Sequence, residues 1–69
     1  MKLTLEAARR NVGLTQVEAA SRIGVTPDTI HNWEKGKSFP NALHIQNIEH
    51  VYNVQYNQLN FCPSITVKP

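Results

Sequence analysis

Polar side chains with different hydrogen-bonding capacities are concentrated between residues 26 and 37. Asp28 can only accept hydrogen bonds, Thr29 can donate and accept, and Asn32 carries an amide donor beside a carbonyl acceptor. The only large apolar residues in this segment are Ile30 and Trp33. Such a segment suits the recognition of a partner that presents a varied pattern of donors and acceptors.

The residues around this segment carry helix start and stop signals. Thr15, with Glu18 three residues later, forms a capping box, and Gly24 can end a helix in the left-handed conformation. Thr26 is a suitable N-cap, and Pro27 falls at the first helical position, where its missing N–H has no helical partner to lose. These signals predict helices over residues 16–23 and 27–35, joined by about three residues as a helix-turn-helix.

The same kinds of signal predict the other helices. Thr4 and Gly13 bound a first helix over residues 5–12, and Asn41 and Asn53 bound a fourth over residues 42–52. The fourth helix carries an apolar stripe made of Ile45, Ile48, Val51 and Tyr52.

A short fifth helix is predicted over residues 56–60, and no strand is expected before residue 61. The fold class is therefore all-α, a compact domain of four or five helices. We expect this domain to span residues 1–60, followed by a C-terminal tail over residues 61–69 that is either frayed or a short strand.

Composition limits the class of protein. The chain has 69 residues, a net charge of +2 and a pI of about 9.0, which suit one small domain and are compatible with an anionic partner. Its single cysteine cannot form an internal disulfide framework and favours a reducing compartment. There is no apolar run typical of a signal peptide or a membrane span, so we expect a cytoplasmic protein without membrane contact.

Residues for catalysis or metal binding are sparse. The sequence contains no HExxH, no CxxC and no glycine-rich phosphate loop. His44 and His50 are six residues apart, which would place them on opposite sides of the fourth predicted helix. We therefore expect no metal, no cofactor and no enzymatic activity.

From Leu5 to Leu59 the chain resembles the Cro/C1-type (lambda-repressor-like) helix-turn-helix family of phage and bacterial regulators. The matching segments are LEAAR, GLTQ, AASRIGVT, TIHNWEKGK, the proline at position 40, IQNIEHVYNV and YNQL. The resemblance implies a five-helix domain that binds duplex operator DNA sequence-specifically as a homodimer. Two positions depart from the family pattern, since Ala19 replaces a usual leucine and Val17 replaces a usual polar residue.

With Ile30 facing the core, helical geometry turns Asp28, Asn32 and Lys35 away from it and places Thr29 and His31 on the flanks. In a major groove, amide side chains suit adenine, carboxylates suit cytosine, and small side chains can contact a thymine methyl. We therefore expect Asn32 to read adenine. Asp28 either reads cytosine or marks a surface for a protein partner.

The resemblance also places the glutamine at position 16 against the DNA backbone and against the helix predicted over residues 27–35. Lysines near the end of the helix predicted over residues 27–35 either contact phosphates or are ordinary solvated charges. Asn41, at the start of the fourth predicted helix, can add a phosphate contact. The complete set of candidate DNA-binding residues is Gln16, Thr26, Pro27, Asp28, Thr29, Asn32, Lys35, Lys37 and Asn41.

By the same resemblance, Arg9 and Glu34 are expected to form a largely buried ion pair with a structural role rather than a DNA contact. The chain is expected to be a Cro-like regulator of phage or prophage type. Two other functions stay open: an antirepressor or modulator that binds a partner repressor protein, and an antitoxin of a toxin–antitoxin pair. Dimer contacts are expected from the fifth helix, Phe61 and the tail, where Ile65 and Val67 either form an edge strand or belong to a mobile segment.

Overall fold

The computed structural model describes residues 2–61, and four α-helices account for most of them. They are α1 (Leu5–Asn11), α2 (Gln16–Ile23), α3 (Pro27–Glu34) and α4 (Ala42–Tyr52). A single 3₁₀ turn (Tyr56–Gln58) follows α4, and two short strands, β1 (Leu3–Thr4) and β2 (Leu59–Asn60), lie at the two ends of the described chain.

Local side-chain hydrogen bonds define the helix-turn-helix. The Thr15 hydroxyl accepts from the Glu18 N–H at 3.1 Å, and the Glu18 carboxylate accepts from the Thr15 N–H at 2.9 Å. This backbone hydrogen bond from Thr15 is the main cause that lowers the pKa of Glu18 below its usual value. Gly24 ends α2 with φ of 94°, a left-handed conformation that favours glycine, and Thr26 caps α3.

Helices α1 to α4 share one small core. Ile30 and Ile48 are its largest fully buried side chains, and Ala20, 2% exposed, belongs to α2, which packs against α3. Small side chains at such a crossing allow the two helices to approach closely. Ala19, where the family usually has leucine, is also fully buried. The all-α fold class predicted from the sequence is confirmed.

Two predictions near the end of the chain were wrong. A strand does occur before residue 61, because β1 pairs in parallel with β2 in the register Leu3 with Leu59 and Thr4 with Asn60. The fifth helix predicted over residues 56–60 is only a 3₁₀ turn, since Leu59 adopts extended φ and ψ angles of −103° and 141° and joins the ladder. This pairing is fixed by burial of Leu59 against the core, a long-range contact without a local signal.

The helix bounds differ from the predicted ones by one residue at α1 and α3, which end at Asn11 and Glu34. Within the predicted stripe of α4, Ile48 and Tyr52 are buried, while Ile45 and Val51 are half-buried. The expectations for Ile65, Val67 and the rest of segment 62–69 lie outside the described residues.

We predict that Leu59→Ala lowers the free energy of unfolding by about 2–5 kcal/mol, because it removes a buried side chain that holds β2 on the core. Leu43→Ala is the matched control, since Leu43 is 63% exposed, and should change stability by less than about 0.5 kcal/mol. Urea unfolding followed by Trp33 fluorescence measures both. Equal losses in the two variants would contradict the role assigned to Leu59.

Candidate nucleic-acid interface

One face of helix α3 packs into the core and holds the helix in place. Ile30 and Trp33 are buried, and Glu34 is buried beside them although it carries a charge. The Trp33 ring also contacts the His44 ring of α4, with centroids 5.2 Å apart. Because Ile30, Trp33 and Glu34 pack into the interior, the other side chains of α3 lie on its outward side.

The outward residues of α3 differ in exposure. Pro27, Asp28 and His31 are exposed, whereas Thr29 and Asn32 are half-buried. Together they present an acid, a hydroxyl, an imidazole and an amide along one side of a two-turn helix. This side carries no lysine or arginine before Lys35, so its potential for recognition lies in hydrogen bonding rather than in charge.

The Thr29 side chain is held by the residue that caps its helix. The Thr26 hydroxyl accepts from the Thr29 N–H at 3.2 Å, and the two hydroxyl oxygens lie 2.8 Å apart. One hydroxyl must therefore donate to the other, which restricts the rotation of both. Thr26 thus has a capping role, and it also orients a candidate base-reading residue.

A buried ion pair joins α1 to α3. Arg9 Nε lies 2.6 Å from Glu34 Oε2, and Arg9 Nη1 donates at 2.9 Å to the backbone carbonyl of Leu14. The hydrogen bond with Glu34 raises the pKa of Arg9 above its usual value despite the opposing effect of burial. Burial, with a smaller contribution from the Glu34 charge, raises the pKa of the neighbouring Tyr52 to about 12.

Gln16 belongs to the same network. Its Nε2 donates to Glu34 Oε1 at 3.0 Å, so the first residue of α2 is bonded to the last residue of α3. The sequence placed Gln16 against the DNA backbone and α3, and Glu34 in an ion pair, but it did not identify Glu34 as the hydrogen-bond partner of Gln16. The two residues are eighteen positions apart, and no local pattern signals that they meet.

An open groove of about 750 Å³ lies where α1, the start of α2 and the end of α3 come together. We call it the α2–α3 groove. Of the candidate DNA-binding residues it contains Gln16 and Lys35. The residues outside that set that also line it include Arg10, Val17 and His31, as well as Glu6 and the Arg9–Glu34 pair. Arg10 is paired with Glu6 at 3.0 Å. The groove therefore contains acidic, cationic, neutral polar and apolar groups beside the N-terminus of α2.

The other candidates lie outside this groove. Thr26, Pro27, Asp28 and Thr29 form the start of α3, and Lys37 is exposed in the loop after it. Asn41 caps α4, where its Oδ1 accepts from the His44 N–H at 2.8 Å. The oxygen of Asn41 is thus used within the protein, and its amide N–H groups are the part that can bind a phosphate.

Within residues 2–61, no group of three or more histidine, cysteine, aspartate or glutamate side chains is arranged to hold a metal ion. In the same range, no helix combines the length and the apolar character that crossing a bilayer requires.

Comparison with known proteins gives a family match. A family model described as helix-turn-helix matches residues 5–59. A protein of Methanothermobacter thermautotrophicus, described as an uncharacterised HTH-type transcriptional regulator, is 42% identical over 43 residues. The aligned part covers 62% of this chain and 62% of that protein, so the match spans about three-fifths of the relative's length. No solved structure matches the chain.

We predict that Arg9→Ala lowers the free energy of unfolding by about 3–5 kcal/mol, because it leaves the Glu34 carboxylate buried and unpaired. Arg22→Ala removes the same residue type from an exposed position on α2 and should cost less than about 0.5 kcal/mol. Differential scanning calorimetry at pH 7 compares the two. Melting temperatures that agree between the variants would contradict the stabilising role of the buried pair.

Proposed function

The chain belongs to the helix-turn-helix family of the Cro/C1 type, and from this premise we propose that it is a transcriptional regulator that binds duplex DNA sequence-specifically. Helix α3 lies in the major groove in this proposal. The observation that carries it is the burial of Ile30, Trp33 and Glu34, which anchors α3 by one face and presents its polar face outward. A rigid helix with varied donors and acceptors suits the pattern that base pairs display in the major groove.

Base contacts are assigned to the outward side of α3. Asn32 can pair with adenine through its amide, donating to N7 and accepting from N6. Thr29, oriented by Thr26, can bond a base edge or touch a thymine methyl, and Pro27 can contact such a methyl. Asp28 can accept from cytosine N4, although its charge opposes a close approach to phosphates.

Phosphate contacts are assigned to residues that flank α3. Gln16 lies at the N-terminus of α2, where free N–H groups and the helix dipole favour an anion. In this proposal the DNA backbone is also contacted by Lys35, Lys37 and the amide of Asn41. Such contacts position the protein on the duplex and contribute affinity without reading sequence.

We further propose that the protein is a Cro-like regulator of phage or prophage type, that it acts in the bacterial cytoplasm, and that it binds operators as a homodimer. An apolar surface supports the dimer. Phe39 and Tyr56 are each 55% exposed, and with Pro40, Ile45 and Phe61 they line one cavity to which no charged side chain of residues 2–61 contributes. The Tyr56 and Phe61 rings contact each other at 5.4 Å. An uncharged aromatic surface can pair with a second copy of itself around a two-fold axis.

A modulator that binds a partner repressor protein is the second candidate function. Val17 favours it, because this residue is 64% exposed in the α2–α3 groove, where polar or cationic residues would suit DNA better. The exposed acid Asp28 favours it also. This candidate predicts complex formation with a repressor and no affinity for duplex DNA alone.

We predict that duplexes selected from a random library bind with an affinity that falls steeply with salt concentration. Lys37→Ala should weaken binding to all duplexes and reduce the salt slope by about 1 for each protomer bound, whereas Asn32→Ala should cost about 1–3 kcal/mol of discrimination at one base position of each half-site. Asn57→Ala, an exposed asparagine on the 3₁₀ turn, is the control. Fluorescence anisotropy measures the affinities. If no selected duplex binds at low salt, the DNA-binding function is wrong.

We also predict that the dimer dissociates when its proposed surface is made polar. Tyr56→Ser combined with Phe39→Ser should shift the protein to monomer in sedimentation velocity, because both exposed rings are removed from the contact. Val12→Ser changes an apolar residue of comparable exposure, 39%, elsewhere on the surface and should leave the dimer intact. A parent protein that stays monomeric both alone and on DNA would refute the proposed dimer.

A further inference from the structure

The carboxylate of Glu34 receives hydrogen bonds from two separate parts of the chain. Arg9 donates from Nε to Oε2 at 2.6 Å and from Nη2 to Oε1 at 3.2 Å, and Gln16 donates from Nε2 to the same Oε1 at 3.0 Å. Glu34 is 7% exposed, whereas Gln16 lies half-buried in the α2–α3 groove. We propose that Glu34 is a positioning residue for DNA binding, because it holds the Gln16 side chain in its DNA-contacting orientation. This inference rests on the proposed function.

The chemistry of the two groups fixes the orientation. A carboxylate accepts hydrogen bonds and cannot donate them, so it binds the nitrogen end of the Gln16 amide. The second N–H of that nitrogen remains for a phosphate oxygen, which also only accepts. Without the Glu34 acceptor the planar amide can rotate, and its carbonyl oxygen, which a phosphate repels, then faces the DNA in part of the population.

The positive charge of the Arg9 guanidinium offsets the repulsion between the Glu34 carboxylate and a nearby phosphate. A lone carboxylate beside the DNA backbone would repel it, but here the positive charge of Arg9 lies 2.6 Å from Glu34. Gln16 is thus a neutral donor whose rotamer is selected when the protein folds. Less side-chain entropy is then lost on binding, which is the general advantage of a preorganised contact.

A coupling experiment tests the proposal. Substituting Glu34 alone would leave Arg9 buried and unpaired, so the test combines Arg9→Met with Glu34→Leu, which replaces the ion pair by apolar side chains and removes the acceptor. The effect of Gln16→Ala on affinity for a selected duplex is measured with and without this double substitution. We expect a loss of about tenfold in the parent and of less than about threefold in the doubly substituted protein.

The possible outcomes separate this inference from the proposed function. An equal loss in both proteins would show that Gln16 binds DNA without help from Glu34 and would overturn the inference. A parent that binds the duplex but is indifferent to Gln16→Ala would overturn it too, while the proposed function stands. A parent that binds no duplex at low salt would overturn the proposed function itself.

A second measurement needs no change at the ion pair. In the free, unmodified protein, ¹⁵N relaxation of side-chain amides reports their picosecond-to-nanosecond order. The Gln16 NH₂ group, assigned by its disappearance in Gln16→Ala, should be markedly more ordered than that of Gln46, an exposed glutamine of α4. Equal mobility of the two groups would overturn the positioning role, whether or not the doubly substituted protein folds.

Discussion

The placement of α3 depends on the ion pair and hydrogen bonds of the buried Glu34 carboxylate. A charge in the interior is costly unless it is paired and hydrogen-bonded, and Glu34 meets both conditions through Arg9 and Gln16. Arg9 extends the constraint, because its Nη1 donates to the Leu14 carbonyl in the turn before α2. One carboxylate at the end of α3 thereby fixes this helix against α1 and against the start of α2.

A second, purely local constraint fixes the angle between α2 and α3. The backbone N–H groups of Gly24 and Val25 both donate to the Ala20 carbonyl, at 2.8 and 3.0 Å, so α2 ends abruptly and the chain reverses within three residues. Ala20 is 2% exposed, and a side chain this small allows a neighbouring helix to pack closely. The turn sets the direction of α3, and the Glu34 network holds its far end. Neither constraint alone would orient the polar side of a helix this short.

These two constraints differ in how well the sequence predicts them. The bounds of α2 and the start of α3 follow from capping residues and glycine within a few positions of each other, so local reasoning finds them. The pairing of Leu3 with Leu59 and the hydrogen bond from Gln16 to Glu34 join distant residues and depend on how the helices cross. Arg10 and His31 line the α2–α3 groove for the same reason, and no spacing rule places them there. The reading of individual bases stays a prediction.

Ion pairs within the fold also affect how strongly such a protein can bind DNA. Among residues 2–61 there are six lysines and arginines, and two of them, Arg9 and Arg10, form ion pairs with Glu34 and Glu6. Affinity for DNA depends strongly on phosphates neutralised by cations, so a single copy of the chain, with few cations near α3, gains only modest non-specific affinity. Hydrogen bonding by a preoriented helix then has to supply discrimination. Linking two such helices converts the second contact into an intramolecular one and multiplies a modest affinity. The weak charge on the outward side of α3 is thus compatible with the proposed homodimer.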